Sequence, residues 1–345
     1  MFCRVLIDAY PGPERPSNTN GLLPFHFACA NNNVATVECL YKLYPGAINH
    51  TTTSGAYPIH YAIAGLGIRS NNPTAAVEIV QFLLDCDPNV KLQKVEEFSL
   101  LHFACRRGYN DSNIQPALQI IKVIYDAHPE AIEGDEITSN IHNFHQETQA
   151  FLNAELVYSR QAKDHSLMTT PDENGQLPLH TALQNNVRLG SIKLLVKGNP
   201  SALRTFDNDI ELPLHIACAR HDSTSVIQYL VGLGEITLGI VARQENTALH
   251  YACCGAKYDT IALLLEKYGA ISVSKRNAHK KLPIDLLWES NEVLDRESVE
   301  YTESVFRLLR IHPETVMNIG TQKQQSASAA WSNHTGKKRK FGHEE

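Results

Sequence analysis

An all-α repeat solenoid is the fold class the sequence predicts, and three observations predict it. A short motif built around one polar residue returns along the chain: GLLPFHFAC from Gly21, GAYPIHYAI from Gly55, FSLLHFAC from Phe98, GQLPLHTAL from Gly175, IELPLHIAC from Ile210, NTALHYAC from Asn246 and KLPIDLL from Lys281. Its polar position holds His26, His60, His102, His180, His215, His250 and Asp285, at successive gaps of 34, 42, 78, 35, 35 and 35 residues. Each motif is followed by an apolar run of helical period that stops at proline or glycine, as in TVECLYKLYPGAI and AVEIVQFLLDCDPNV. Units of this size cannot bury their apolar faces alone, so at least three must stack to form a continuous core.

Each unit reads as a turn, a short helix, a longer helix and a proline-terminated exit. Pro24, Pro58, Pro178, Pro213 and Pro283 fall at the first helical position, where the missing N–H costs nothing and φ is already set. Pro45, Pro88, Pro129, Pro200 and Pro313 fall at the exit, because proline cannot continue a helix. Small pairs after the histidine, such as Ala28-Cys29, Ala104-Cys105 and Ala217-Cys218, let neighbouring helices approach.

The motif and its period resemble the ankyrin repeat, whose first helix opens on a T-P-L-H-x-A-A run. The resemblance covers an array over residues 1–320, and its L-P-L-H-x-A-C form with Y-P-G-A exits looks like the large ankyrin families of unicellular algae. This chain departs from the pattern before the proline, where Leu23, Tyr57, Leu177, Leu212 and Leu282 replace a capping threonine and Thr247 keeps a hydroxyl. Leucine and tyrosine cannot supply the family's Thr–His bond there, so the imidazole is the nearest polar group for the orphan donors of the helix start.

The period is broken in places. The second and third repeats carry polar, Asn-rich loops between their helices, GLGIRSNNPTA and RRGYNDSNIQPA. A larger insertion, residues 133–171, contains no Gly or Pro between Gly134 and Pro171 and is acidic by 4, so one long helix projecting from the array is expected. A repeat degenerate enough to have lost its motif is the alternative. Phe144, Phe151, Leu152 and Tyr158 form a partial apolar stripe on it. Loop-closure entropy grows slowly with length, so such an insertion is expected to be dispensable. The segment CRVLIDAYPG reads as a second helix and exit without a first helix, an expected half-repeat cap or a truncation inside a repeat. Residues 321–345 read as a disordered basic tail of net charge +3.

Composition bounds what the chain does. With 43% hydrophobic and 20% charged residues in 345, wholesale disorder is excluded. A balance of 31 Lys+Arg against 37 Asp+Glu, net −6, argues against an array that holds nucleic acid along its length. No run approaches the ~20 apolar residues that cross a bilayer, and no membrane partner is expected. The opening MFCRVLIDAYPGPER is too short an apolar run for a secretory signal. Eight cysteines in helical patterns read as reduced thiols, which places the protein in the cytoplasm, the nucleus or both. A monomer is expected.

His and Cys recur three residues apart in four repeats, at His26/Cys29, His102/Cys105, His215/Cys218 and His250/Cys253. Each pair belongs to a different layer and does not converge on a tetrahedron, so no metal site is expected. No G-x-S-x-G, H-E-x-x-H or glycine-rich phosphate loop appears, and neither catalytic residues nor a cofactor are expected.

The ankyrin resemblance implies binding of protein partners through a concave face of hairpin tips and first-helix ends. Carried onto this chain, the tips are Ser54, Ala56, Glu173, Asn174, Gln176, Asn208, Asp209, Glu211, Arg243, Gln244, Asn246 and Lys280. The helix ends are Asn31, Arg106, Arg107, Gln184, Asn185 and Arg220. The run Lys337-Lys338-Arg339-Lys340 suits the acidic groove of a nuclear import receptor. A non-catalytic interaction scaffold is the expected function, and the alternative is a nuclear regulator whose basic tail contacts nucleic acid.

Overall fold

The computed structural model describes residues 17–31, 34–66, 73–233, 235–290 and 298–311. The expected half-repeat at the start of the sequence, Pro313 and the basic tail lie outside them. Among the described residues the chain is helical, and β structure is confined to one antiparallel bridge between Val95 and Phe98.

Contacts divide the chain into two units, Met1–Thr170 with Arg188–Pro200, and Pro171–Val187 with Ser201–Glu345. In the first, α1 (Pro24–Ala30), α3 (Pro58–Gly65) and α5 (Leu100–Cys105) are the short motif helices. The longer helices are α2 (Val34–Leu43), α4 (Pro73–Cys86) and α6 (Ile114–Ala127). Each short helix packs on its own long partner and on the short helix of the next layer. That stacking is close: a Cβ on Gly65 of α3 would stand 2.3 Å from the Ala30 carbonyl oxygen of α1, so only glycine fits. Ile59, Ile63, Ile79, Leu83, Leu100, Leu101, Ile120 and Ile124 form the core between the rows.

The exits share one geometry. Tyr44, Asp87 and His128, with φ of −142, −142 and −143°, are held extended by the proline that follows, and a 3₁₀ turn starts on that proline at Pro45–Asn49, Pro88–Leu92 and Pro129–Glu133. Proline therefore ends one helix and opens the next turn.

The insertion is not the single projecting helix that the absence of Gly and Pro suggested. It is broken into α7 (Asp135–Thr138), a 3₁₀ turn at Ile141–Asn143, α8 (Gln146–Lys163) and α9 (His165–Thr169). Side chains that cap helices do the breaking: His145 Nδ1 accepts from Glu147 N at 3.3 Å, and Asp164 accepts from Ser166 N and Leu167 N at 3.0 and 3.2 Å.

Nor does the segment project. Ile137, Phe144, Leu152 and Leu156 belong to the core of this unit, and Met168 is fully buried. Helix α8 packs against α6 and along α11 (Leu189–Gly198), where a Cβ on Gly198 would meet the Ala162 carbonyl oxygen at 2.5 Å. Glu155 of α8 accepts from the Ser191 hydroxyl, which also meets Tyr125 Oη of α6 at 2.9 Å. The segment thus fills a layer of the stack. Tyr158, expected on its apolar stripe with Phe151, is half-buried, as Phe151 is.

The second unit repeats the plan. Its short helices are α10 (Pro178–Gln184), α12 (Pro213–Arg220), α14 (Ala248–Cys254) and α16 (Pro283–Ser290), packed in sequence. The long row is α13 (Thr224–Leu233), α15 (Tyr258–Val273) and α17 (Val299–Ile311).

Because Leu152 is buried in the first unit's core, Leu152→Ala should lower stability by about 2–5 kcal/mol, read as a reduced urea midpoint. Replacing residues 135–168 by a short Gly/Ser linker should abolish the cooperative transition of the first unit, contrary to the dispensable insertion the sequence suggested. An unchanged transition would remove the segment from the core.

Candidate protein-interaction surface

In five of the motifs the backbone N–H at the helix start is met by the motif histidine, whereas His102 Nδ1 of the third motif has no partner among the described residues. Nδ1 of His26, His60, His180, His215 and His250 accepts from the backbone N of Leu23, Tyr57, Leu177, Leu212 and Thr247, at 3.1 to 3.2 Å. A backbone N–H can only donate, so Nδ1 is unprotonated and Nε2 carries the hydrogen. In the second unit that hydrogen goes to the following layer: His180 donates to Thr205 O, His215 to Ile240 O and His250 to Lys281 O, at 3.0, 3.1 and 3.2 Å.

The hydroxyl at Thr247 does survive as a cap, donating to His250 Nδ1 at 2.8 Å while accepting from His250 N at 3.4 Å. Ser99 is a second hydroxyl cap, accepting from His102 N at 3.3 Å, which the motif reading passed over because no proline follows it. Asp285 takes the histidine's place, its carboxylate accepting from Leu282 N at 2.8 Å.

Burial in this lattice holds the imidazoles neutral. It lowers His26, His60 and His215 to about 4, and His102, His180 and His250 in the same direction. Burial also pushes the Cys218 thiol up to about 12 and raises those of Cys29, Cys105 and Cys253. These thiols are packing groups, and nucleophilic thiolate is suppressed at all four. Among the described residues no three His, Cys, Asp or Glu side chains gather as metal ligands.

The tips are built by a side chain the motif reading did not single out. Asp172 Oδ1 accepts from the backbone N of Asn174 and Gln176 at 2.9 and 2.8 Å, and Asp207 Oδ1 from those of Asp209 and Glu211 at 3.0 and 2.8 Å. Asn277 does the same for His279 and Lys281, and Asn18 for Asn20 and Leu22. All stand eight positions before the motif's polar residue, so Asn or Asp at that spacing was the available signal. Adjacent tips join through their backbones, Asn208 N donating to Asn174 O at 3.0 Å and Ala278 N to Gln244 O at 2.8 Å.

Of the expected binding residues in the second unit, Glu173, Asn174, Asn185, Asn208, Asp209, Arg220, Arg243 and Gln244 are exposed. Gln176, Gln184, Glu211 and Asn246 are half-buried. Several also tie the tips together: Asn208 Nδ2 donates to Glu173 O at 3.2 Å, Gln176 to Asp207 at 3.3 Å, and Asn277 to Asn246 at 2.9 Å. Arg243 pairs with Asp209 at 2.9 Å. Tyr251, also missed from the sequence, donates to Glu211 at 2.8 Å, and burial raises the Glu211 carboxyl.

In the first unit Asn31 is exposed at the end of α1, and exposed Ser54 meets Thr52 Oγ1 at 3.0 Å. Arg106 and Arg107 gather on an aromatic shelf, their guanidinium carbons 4.8 and 5.6 Å from the ring centres of Phe98 and Phe103. Arg106 also faces Glu96 at 3.7 Å, across a tight turn in which Glu96 and Glu97 both have positive φ. On the α1 layer Phe27 stands 48% exposed. The import candidates Lys337, Lys338, Arg339 and Lys340 lie outside the described residues.

Stacked helix pairs, joined at one edge by polar turns and in the second unit bridged layer to layer by neutral histidines, define a helical-repeat protein. Residues 190–277 match the family model of ankyrin repeats, in 3 copies, and the chain carries ankyrin repeats. No curated protein matches it. Among the described residues no helix is long and apolar enough to cross a membrane.

Unfolded histidine takes a proton near 6.5, whereas His26, His60 and His215 resist it down to about 4. Their stabilisation is therefore complete above pH 6.5 and is lost as pH falls through 6.5 towards 4. Glu155 and Glu211, whose carboxyls burial raises, act in the opposite sense and blunt the slope. The thermal midpoint should be flat above pH 7 and drop between about pH 6.5 and 4. His215→Asn should shrink that acid limb, and an unchanged limb in several such variants would show that the rings are not its source.

Proposed function

We propose that the chain is a non-catalytic adaptor that holds a protein partner on its tips and first-helix ends. What supports it best is the division of labour at each tip. Asp172 and Asp207 hold two of the turns and backbone bonds at Ala242 hold the third, while Glu173, Asn174, Asp209, Arg243 and Gln244 are left facing solvent. Ankyrin repeats are protein-interaction modules, and the neutral histidines and raised thiols are committed to packing. In the first unit, Arg106 and Arg107 over Phe98 and Phe103 combine charge with rigid apolar area, a combination enriched at binding hot spots.

The sequence Lys337-Lys338-Arg339-Lys340 supports a second element, recognition by a nuclear import receptor. A reporter fused to residues 321–345 should concentrate in nuclei and spread evenly once those four residues become alanine.

Charge reversal at Arg106 and Arg107 should weaken partner retention about tenfold, or ~1.4 kcal/mol, with the thermal midpoint nearly unchanged. The measurement is quantitative capture by wild-type and variant chains. Retention that survives reversal there and at Glu173, Asp209 and Arg243 would place binding elsewhere.

A further inference from the structure

Charge is sorted along the tips of the second unit. Tips 172–176 and 207–211 carry Asp172, Glu173, Asp207, Asp209 and Glu211 and no cation. Asp207 is buried under its own turn, whereas Asp172, Glu173 and Asp209 are exposed. The segment 275–281 carries Lys275, Arg276, His279, Lys280 and Lys281 and no carboxylate. Lys275, Arg276, His279 and Lys280 are exposed. The tip between them holds both signs, with Arg243 paired to Asp209. The edge therefore runs from anionic to cationic across successive layers.

One stretch of this chain has the complementary order. Lys337-Lys338-Arg339-Lys340 is followed, after three intervening residues, by Glu344-Glu345. Nine extended residues span roughly 30 Å. Layers of helices packed about 8–10 Å apart put the first and last of these tips roughly 25–30 Å from each other. The 25 residues between Ile311 and Lys337 reach up to about 80–90 Å when extended, so the connection is long enough.

We propose that residues 337–345 dock on this edge in cis, with the four cations over the carboxylates of 172–211 and Glu344 and Glu345 against Lys275 and Lys280. The proposal builds on the interaction-surface reading above and names an internal occupant for that surface. Exposed ion pairs are individually weak and screened by salt. Covalent linkage supplies the effective concentration that makes such a set bind. Docking occupies the edge a protein partner would use and at the same time covers the basic run, so a partner that displaces the tail frees it.

The full chain, treated with a zero-length carbodiimide that joins carboxylate to amine, provides the test. Peptide mapping should find Lys337, Lys338 or Lys340 linked to Glu173 or Asp209, and Glu344 or Glu345 linked to Lys275 or Lys280. The link from Glu344 or Glu345 to Lys275 or Lys280, whose reacting groups are kept, should fall in yield at least about fivefold in K337E/K338E/R339E/K340E or at high salt, and should recover when that variant also carries E173K/D209K. Unchanged thermal midpoints establish that the variants fold. Yield indifferent to tail reversal, or links mapped away from the tips, would overturn the proposal. In a mixture of isotopically light and heavy chains the links should stay within one label, and links bridging the labels would overturn it in favour of a second copy as occupant. No partner is present in the assay, so failure here is distinguishable from failure of partner capture.

Discussion

The second unit depends on a neutral imidazole that serves two layers at once. Starting a helix leaves backbone N–H groups without partners, and an unsatisfied buried donor costs about 1–3 kcal/mol. In the second unit His180, His215 and His250 accept from the backbone at their own helix start and donate to a carbonyl of the next layer. The bond that caps a helix is thereby coupled to the bond that stacks it. A protonated ring would lose its acceptor and place a charge in the core, which is why burial and protonation oppose each other throughout the lattice. Asp285 marks the limit of this device: its carboxylate accepts at the helix start, but when ionised it has no hydrogen to pass on.

A second constraint fixes the tips. Asp172, Asp207 and Asn277 each satisfy two backbone donors of their own turn, and neighbouring turns share a backbone bond. The backbone is used up internally, so the exposed side chains can vary without unmaking the turn. That freedom lets anionic tips at 172–211 and cationic residues at 275–281 stand on one scaffold. It also sets a boundary on the surface: Gln176, Asn208 and Asn246 look like binding residues by position yet spend polar groups on joining tips.

The region between the third motif and the fourth separates pattern from packing. Reading helix ends from Gly and Pro alone gives one long helix, because 135–170 has neither. His145 and Asp164 end and restart the helix with side-chain oxygen or nitrogen acceptors, a weaker and more context-dependent signal. Similarly, only the closeness of Gly198 to Ala162 and the Tyr125–Ser191–Glu155 contacts reveal that α8 lies inside the stack.

The sequence by itself determined the repeat, the helix pairs, the proline starts and exits, and the motif histidines, because each is dictated by local backbone chemistry recurring at one period. Asn18, Asp172, Asp207 and Asn277 were also legible, at a fixed spacing from the motif, but their role needs the turn they fold. Only the tertiary structure decided that the Nε2 hydrogens cross between layers, that Ser99 caps α5, that Tyr251 meets Glu211, and that α8 fills a layer of the core. Those facts depend on groups tens of residues apart or on the presence of a neighbouring layer, and a period of spacing carries no information about which atoms a stacked neighbour will present.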